Sequence, residues 1–364
     1  MDAYHCNNCK RPYPDSDLPH RCLHCGGIFT VSKELNLAED DQTQSGIWRY
    51  ENSFGLSPET EKVSLGEGDT PLVRSDLFGK EIYFKLEYQN PTGSFKDRGS
   101  AALVSEMKAR GVVRAVDESS GNAGASFAAY AARAGIEAKV LVPENTSGPK
   151  REQIEAYGAE IEEVPGPRSA AADRIWEVIQ EGISYASHAY LPFGLAGIAT
   201  IAYEIFDELG QTPGTVVAPA GHGSLLLGIA LGFEALKAAG KIEQLPKLVA
   251  VQASACAPLW VVTNIGPSGL GAVQEGPTLA EGVRVRIPIR GDELILKLRD
   301  GKGHIHIVEE DRILPGRNAL AKLGFYVEPT SAIVWDTLEQ MQGEISEPVV
   351  VILTGSGLKN TTNN

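Results

Sequence analysis

From about Val63 the chain alternates short β-branched or aromatic runs with alanine-rich amphipathic ones, and this alternation restricts the fold more than any other feature. The stretches "VVRAVDESS", "NAGASFAAYAARAG", "EAKVLVPE", "KREQIEAYGA" and "EIEEVPG" read as strand, helix, strand, helix, strand. Strands joined through helices pair in parallel, with the helices covering the sheet. The same order returns in "GTVVAPAG", "HGSLLLGIALGFEALKAAG" and "KLVAVQAS", and "PVVVILTGSG" supplies a late strand ending in glycine. Uniformly apolar runs such as "AKVLV" and "VVVIL" suit strands covered on both faces. At 364 residues the chain exceeds what one hydrophobic core holds, so two lobes are expected. The expectation is an α/β architecture of two open, mostly parallel sheets flanked by helices.

Charge narrows the partners. A net charge of −14 opposes binding to nucleic acid, whose affinity rests on lysine and arginine contacts to phosphates. No apolar run reaches the roughly 18 to 20 residues that span a bilayer, and "MDAYHCNNCK" lacks a signal-peptide core. No membrane or nucleic-acid partner and a cytoplasmic location are expected.

Four of the five cysteines crowd the N-terminus. "CNNC" and "CLHC" are two C-x2-C pairs, Cys6 with Cys9 and Cys22 with Cys25, separated by twelve residues. Two such hairpin tips can present four thiolates in a tetrahedron, which suits zinc at a closed structural site. Disulfides are the alternative, and they need an oxidising compartment. His5, His20 and His24 are nearby but superfluous to a complete thiolate set, and residues 1 to 30 carry no net positive charge. A small structural zinc ribbon over residues 1–35 is expected.

In open parallel sheets, ligands sit beyond the carboxyl ends of strands, where loops feed helix N-termini. "NPTGSFKDR", "ESSGNAGAS" and "APAGHGSLLLG" have that form, and "LTGSGLKN" closes the last strand. "AGHGS" lets backbone amides approach an anion at the positive end of a helix, favouring a phosphate, although tight packing also explains such glycines. It is neither a P-loop nor a dinucleotide fingerprint. "SSGNAGAS" suits a carboxylate, with a plain helix cap by Ser119 or Ser120 as the alternative. Lys96 stands between Phe95 and Asp97 at a helix entrance, where a cation opposes the helix dipole; a partly desolvated amine there is nucleophilic. An ion pair with Asp97 is the plainer reading. An anion site, a carboxylate site and a reactive amine together suggest a phosphate-bearing cofactor joined as a Schiff base.

At this point the chain resembles the fold type II pyridoxal-phosphate enzymes, and among them the threonine synthases. "GEGDTPL", "KLEYQNPTGSFKDRGS", "SSGNAGASFAAYAARAG", "AYGAEIEEVPG", "VEPTSA" and "VVVILTGSGLKN" follow that family's order over some four fifths of the chain. The resemblance implies that Lys96, with Phe95 beside it, joins pyridoxal 5'-phosphate and later shuttles protons. It implies that Asn122 bonds the cofactor's 3-oxygen, that Gly221, His222, Gly223, Ser224 and Leu225 hold its phosphate, and that Thr354 faces the pyridine nitrogen. Ser119, Ser120 and Gly121, with Asn122 and Ala123, would receive a small amino-acid substrate. A phosphorylated substrate needs further basic groups: Lys150, Arg151 and Arg168 are candidates, with solvated surface charge the plainer reading for any one of them, and Arg284 and Arg286 are further options, with Arg290 behind. The family implies a homodimer, and a zinc-ribbon-like segment occurs in some of its members. The expected division is 36–98 with 202–364 as the cofactor-binding domain and 99–201 as a small mobile one.

Two departures bear on the substrate. "GHGSL" stands where a threonine synthase is expected to carry glycine-asparagine-glycine-glycine-asparagine, and "PTLAEGVRVRIPIRGDEL" resembles ammonia-lyases and other β-eliminating relatives equally well. The alternative to conversion of O-phospho-L-homoserine to threonine is therefore β-elimination or β-replacement on serine, threonine or O-phosphoserine.

Overall fold

The computed structural model describes residues 3–32, 35–37, 41, 43–57, 59–144, 148–166 and 168–360. Among the described residues there are three sheets, and the two large ones have the expected α/β form. The smallest pairs β1 (Tyr4–Cys6) with β2 (Phe29–Val31) antiparallel, setting Cys6 opposite Phe29.

The residues group into two compact units. The first comprises 1–68, 90–198 and 359–364; the second comprises 69–89 and 199–358. The expected division kept 36–98 with 202–364; here 36–68 and 90–98 group with the 99–198 segment. A side-chain bond from Tyr130 to Glu67 accounts for part of this, on an acid that Trp48 also holds. Trp48 Nε1 donates to Glu67 Oε1 at 2.7 Å, and the Tyr130 hydroxyl donates to Glu67 Oε2 at 2.7 Å.

The second unit contains the hairpin β3 (Leu72–Leu77) and β4 (Lys80–Lys85). Its two-residue turn has both Phe78 and Gly79 at positive φ, 55° and 71°, which matches the right-handed twist of the flanking strands. In the first unit, β5 (Arg114–Asp117), β6 (Glu137–Pro143), β7 (Glu160–Val164) and β8 (Ser184–Tyr185) form a wholly parallel sheet in the order β7-β6-β5-β8. The other large sheet adds β9 (Thr215–Pro219), β10 (Lys247–Ala253), β11 (His304–Val308) and β12 (Val349–Ile352), in the order β11-β10-β9-β12-β4-β3. Only its β3–β4 pair is antiparallel.

β12 lies between β9 and β4, and Val349, Val350, Val351 and Ile352 are all fully buried. That explains the unbroken apolar run, since a strand covered on both faces has no polar side. Each such side chain contributes about 1.5–3 kcal/mol relative to exposure.

The helices that position functional residues are α1 (Lys96–Ala109), α2 (Asn122–Ala134), α3 (Pro149–Ala156), α4 (Arg168–Gln180), α5 (Gly194–Leu209) and α6 (Ser224–Ala238). α2 packs on α1 and on β6, while α4 covers the β5–β8 sheet. The small residues of α2 permit close approach: a Cβ on Gly124 would sit 1.8 Å from the Ser119 carbonyl oxygen. α2 stops at Gly135, φ 74°, a left-handed position that suits glycine.

The ribbon is fastened to the first unit. Arg110, at the end of α1, donates through Nη1 to the carbonyls of Pro14, Asp15 and Asp17 at 2.7, 3.0 and 3.0 Å. Its guanidinium also lies over the Tyr13 and Phe193 rings. Among the described residues no helix is long and apolar enough to cross a membrane.

Candidate active site

The segment Asn90–Asp97 folds as a closed turn, and its composition explains why. Gly93 takes φ 84° and its amide bonds the Asn90 carbonyl at 2.8 Å. Asp97 then ties the turn shut: its Oδ2 accepts from the Thr92 amide at 2.7 Å, and its Oδ1 accepts from the Thr92 hydroxyl at 2.6 Å and the Ser126 hydroxyl at 2.6 Å. Burial raises the Asp97 carboxyl to about 6, against the pull of these bonds and of Lys359. Lys359 Nζ donates to the Thr92 carbonyl at 2.7 Å.

Lys96 is the first residue of α1, as the sequence predicts, and is half-buried with Nζ 4.8 Å from the centre of the Phe95 ring. The acceptor atoms of Asp97 serve Thr92 and Ser126, so the turn uses Asp97 as its anchor.

The second predicted segment belongs to the same unit. Gly121 caps α2 with φ −105° and ψ −150°, and no side chain caps the helix. The hydroxyls of Ser119 and Ser120 are thus not spent as caps. Ser119 Oγ accepts from the Gly121 amide at 3.3 Å, while Asn122 and Ala123 open the helix. Backbone amides at the start of a 13-residue helix, flanked by hydroxyls, suit a carboxylate.

The acids just before this loop escape a reading of the sequence. Asp117 ends β5 at 1% exposure, and among the described residues neither of its carboxylate oxygens has a hydrogen-bond partner of normal geometry. Burial, then the neighbouring Glu118, pushes its carboxyl well above the ordinary range; Lys96 and the amides of Ser119 and Glu118 act in the opposite direction. The signal was present in "VDESS", two adjacent acids at the end of an apolar strand.

The remaining predicted cofactor residues lie in the second unit. Gly221–Gly223 link β9 to α6, and Gly223 sits at the helix entrance with φ 96°. A Cβ on Gly221 would meet the Gly282 carbonyl at 2.9 Å, and one on Gly223 would meet the Arg290 carbonyl at 3.2 Å, so the glycines are needed for packing as well as for conformation. The Arg290 amide bonds the His222 carbonyl at 2.9 Å, and buried Arg290 pairs with Glu293 at 2.9 Å. Among the described residues Ser224 Oγ is buried without a hydrogen-bond partner, and Leu225 follows on the helix. An anion accepting from the Ser224 hydroxyl and the first amides of the 15-residue α6 fits this loop. Thr354 Oγ1 is likewise buried and has no hydrogen-bond partner among the described residues, with its amide held by Ser331 Oγ at 2.6 Å. These residues fit pyridoxal 5'-phosphate, whose phosphate and ring nitrogen are hydrogen-bonding groups.

The four N-terminal cysteines converge. Their sulfurs all lie within 4.8 Å of one another, with Cys6 and Cys25 at 3.5 Å and Cys9 and Cys22 at 3.6 Å. Tetrahedral zinc–sulfur bonds of about 2.3 Å separate sulfurs by about 3.8 Å, so the cluster fits zinc. None of the four is in a disulfide. His20 packs on Trp176, with ring centres 4.8 Å apart.

Of the basic candidates, Lys150 is a half-buried residue of α3, and Arg151 pairs with Glu155 at 3.0 Å and Glu163 at 2.6 Å. The Arg168 side chain lies outside the described residues. Arg284 is half-buried and Arg286 exposed.

The chain is similar to known proteins over most of its length. The family described as pyridoxal-phosphate dependent enzyme matches residues 63–355. A threonine synthase of Methanocaldococcus jannaschii is 32% identical over 374 residues, covering 98% of this chain and 92% of the relative. One from Methanosarcina acetivorans is 30% identical with the same coverage of both chains. Among solved structures, a threonine deaminase from T.th. has a TM-score of 0.63 at 26% identity, over 81% of this chain and 93% of that one. A maize serine racemase, at 23% identity and a TM-score of 0.66 over 79% and 88%, shares the fold.

Proposed function

This chain belongs to the pyridoxal-phosphate dependent enzyme family, and on that premise we propose that it is a lyase converting O-phospho-L-homoserine and water to L-threonine and phosphate. One observation carries the reading. Similarity to threonine synthases extends over 98% of the chain, N-terminal ribbon segment included, at 32% and 30% identity.

When bound, pyridoxal phosphate supplies the electron sink that lets the Cα–H bond break and the γ-phosphate depart. The chain's own residues orient and move protons. Lys96, at the head of α1 on a turn closed by Thr92 and Asp97, removes the Cα proton and returns it later. The α2 entrance, with Ser119, Ser120, Gly121, Asn122 and Ala123, fixes the substrate carboxylate. Gly221, His222, Gly223, Ser224 and Leu225 at the α6 entrance take the cofactor phosphate. The Thr354 hydroxyl, buried and without a hydrogen-bond partner among the described residues, would serve the ring nitrogen, and a hydroxyl there would leave that nitrogen less protonated than a carboxylate. Lys150 and Arg168 are assigned to the γ-phosphate of the substrate. The four cysteines hold structural zinc, and the active form is a homodimer in the cytoplasm.

The test is release of phosphate in step with threonine from O-phospho-L-homoserine by the cofactor-loaded enzyme. Absence of both products contradicts the assignment. A second reading, β-elimination or β-replacement on serine, threonine or O-phosphoserine, is favoured by the likeness to threonine deaminase at 26% identity. Ammonia and keto acid formed from L-threonine or L-serine, without phosphate chemistry, would select it.

A further inference from the structure

We infer that the cavity between the N-terminal ribbon and the 3-10 helix Gly46–Ser53 is a binding site for a small carboxylate with an apolar body. None of its lining residues is among those assigned to cofactor or substrate, and the inference does not rest on the proposed reaction.

The cavity has a volume of about 510 Å³. Small-molecule sites span roughly 300–1,000 Å³, and are mostly apolar with a few polar groups that fix the ligand's orientation. Every lining residue lies between Ala3 and Gly55, within the first unit. The apolar part includes Val31 at the end of β2 and the buried side chains of Leu35 and Phe54.

Hydrogen bonds fix the walls in place. The Tyr4 hydroxyl, on the ribbon, donates to the Phe54 carbonyl at 2.8 Å, and the Ser53 hydroxyl donates to the Tyr50 carbonyl at 2.8 Å. The 3-10 helix is itself anchored on Glu67, through Trp48 Nε1 to Oε1 at 2.7 Å and the Ile47 amide to the backbone carbonyl at 3.1 Å. Gly55, at φ 66°, lets the ribbon approach: a Cβ there would sit 2.6 Å from Ala3 Cβ. A cavity shaped in advance binds without the entropy loss of ordering its walls.

Two polar groups of the lining select a carboxylate. Tyr4 and Ser53 direct their hydroxyls to carbonyls, but Ser32 Oγ is buried and has no hydrogen-bond partner among the described residues. A buried hydroxyl in that state is destabilising, and a ligand oxygen would relieve it. Lys10 is the second group. Its Nζ donates to the Asn7 carbonyl at 2.8 Å, one bond from an ammonium that can donate three. No aspartate or glutamate belongs to the lining, in a chain of net charge −14. A cation and a hydroxyl beside apolar walls match a carboxylate on a hydrocarbon body, whereas an ammonium ligand would meet no counter-charge there.

The test titrates the full cofactor-loaded chain with 4-phenylbutanoate, 4-phenylbutan-1-ol and 4-phenylbutylamine, probes that share one body and differ in the head group, and reads Kd by ligand-observed NMR. The acid is expected to saturate at one per chain, with the alcohol and the amine at least about threefold weaker, the scale of an exposed ion pair. Lys10→Glu, which reverses the charge, is expected to weaken the acid at least about threefold and to leave the alcohol unchanged. Ser32→Phe fills the cavity and is expected to abolish binding of all three. The readout needs no turnover, so its result is independent of which reaction the enzyme performs. Equal affinity for the three probes, no saturable binding of the acid, or an acid affinity that Lys10→Glu leaves at the parental value overturns the inference. If Ser32→Phe does not fold, the Lys10→Glu comparison decides it alone.

Discussion

The hydroxyl of Thr92 donates to Asp97 Oδ1 at 2.6 Å, and this bond closes the turn on which Lys96 is carried. The same carboxylate receives the Thr92 amide and the Ser126 hydroxyl, so one buried acid ties the turn to α2. Asp97→Asn sets an amide donor against the Thr92 amide and is expected to cost about 1–3 kcal/mol, read as a lower denaturant midpoint at constant slope.

The pH dependence of that same group has a definite sign. Burial raises Asp97 to about 6 from the ordinary 3.8. A carboxyl raised in the folded state contributes stability that is complete below about pH 3.8 and is lost as pH climbs through about 6. Stability of the parent is expected to fall across that window more steeply than that of Asp97→Asn, as measured by urea unfolding at a series of pH values. Parallel curves for the two proteins would contradict the buried-acid reading.

Arg110 is expected to hold the ribbon down. Arg110→Ala removes three bonds to the carbonyls of Pro14, Asp15 and Asp17 and the stacking on Tyr13 and Phe193. The loss is on the order of 2–3 kcal/mol, and limited proteolysis should cut within residues 1–35 sooner than in the parent.

The four-cysteine cluster is expected to contain one zinc per chain. Cys22→Ser removes one of four thiolates, so elemental analysis should find markedly less zinc and calorimetry a lower melting temperature. Full zinc retention by that variant would count against a four-thiolate site.

Gly223→Ala probes the α6 entrance. Its φ of 96° is strained for alanine, and a Cβ would press on the Arg290 backbone at 3.2 Å. The strain is about 1–3 kcal/mol, and cofactor affinity is expected to fall roughly 10- to 100-fold by equilibrium titration, with little change in secondary structure by circular dichroism.

The layered α/β form was legible because apolar runs such as Val349–Ile352 and the alanine-rich face of α2 carry the period of their elements. Lys96 was legible because turn formers and a helix start surround it. Asp117 was not: an acid at a strand end ordinarily meets water, and only the packing around β5 makes it buried. The grouping of 36–68 with the first unit was equally hidden. It rests in part on Tyr130 meeting Glu67, a pair 63 residues apart that no periodicity announces.

The central claim is that the Lys96 amine carries the cofactor. Borohydride reduction of the cofactor-loaded protein, followed by proteolysis and mass spectrometry, is predicted to leave one pyridoxyl phosphate adduct, on the peptide containing Lys96. An adduct confined to another lysine, or none on protein that binds the cofactor with visible absorption, would contradict the account.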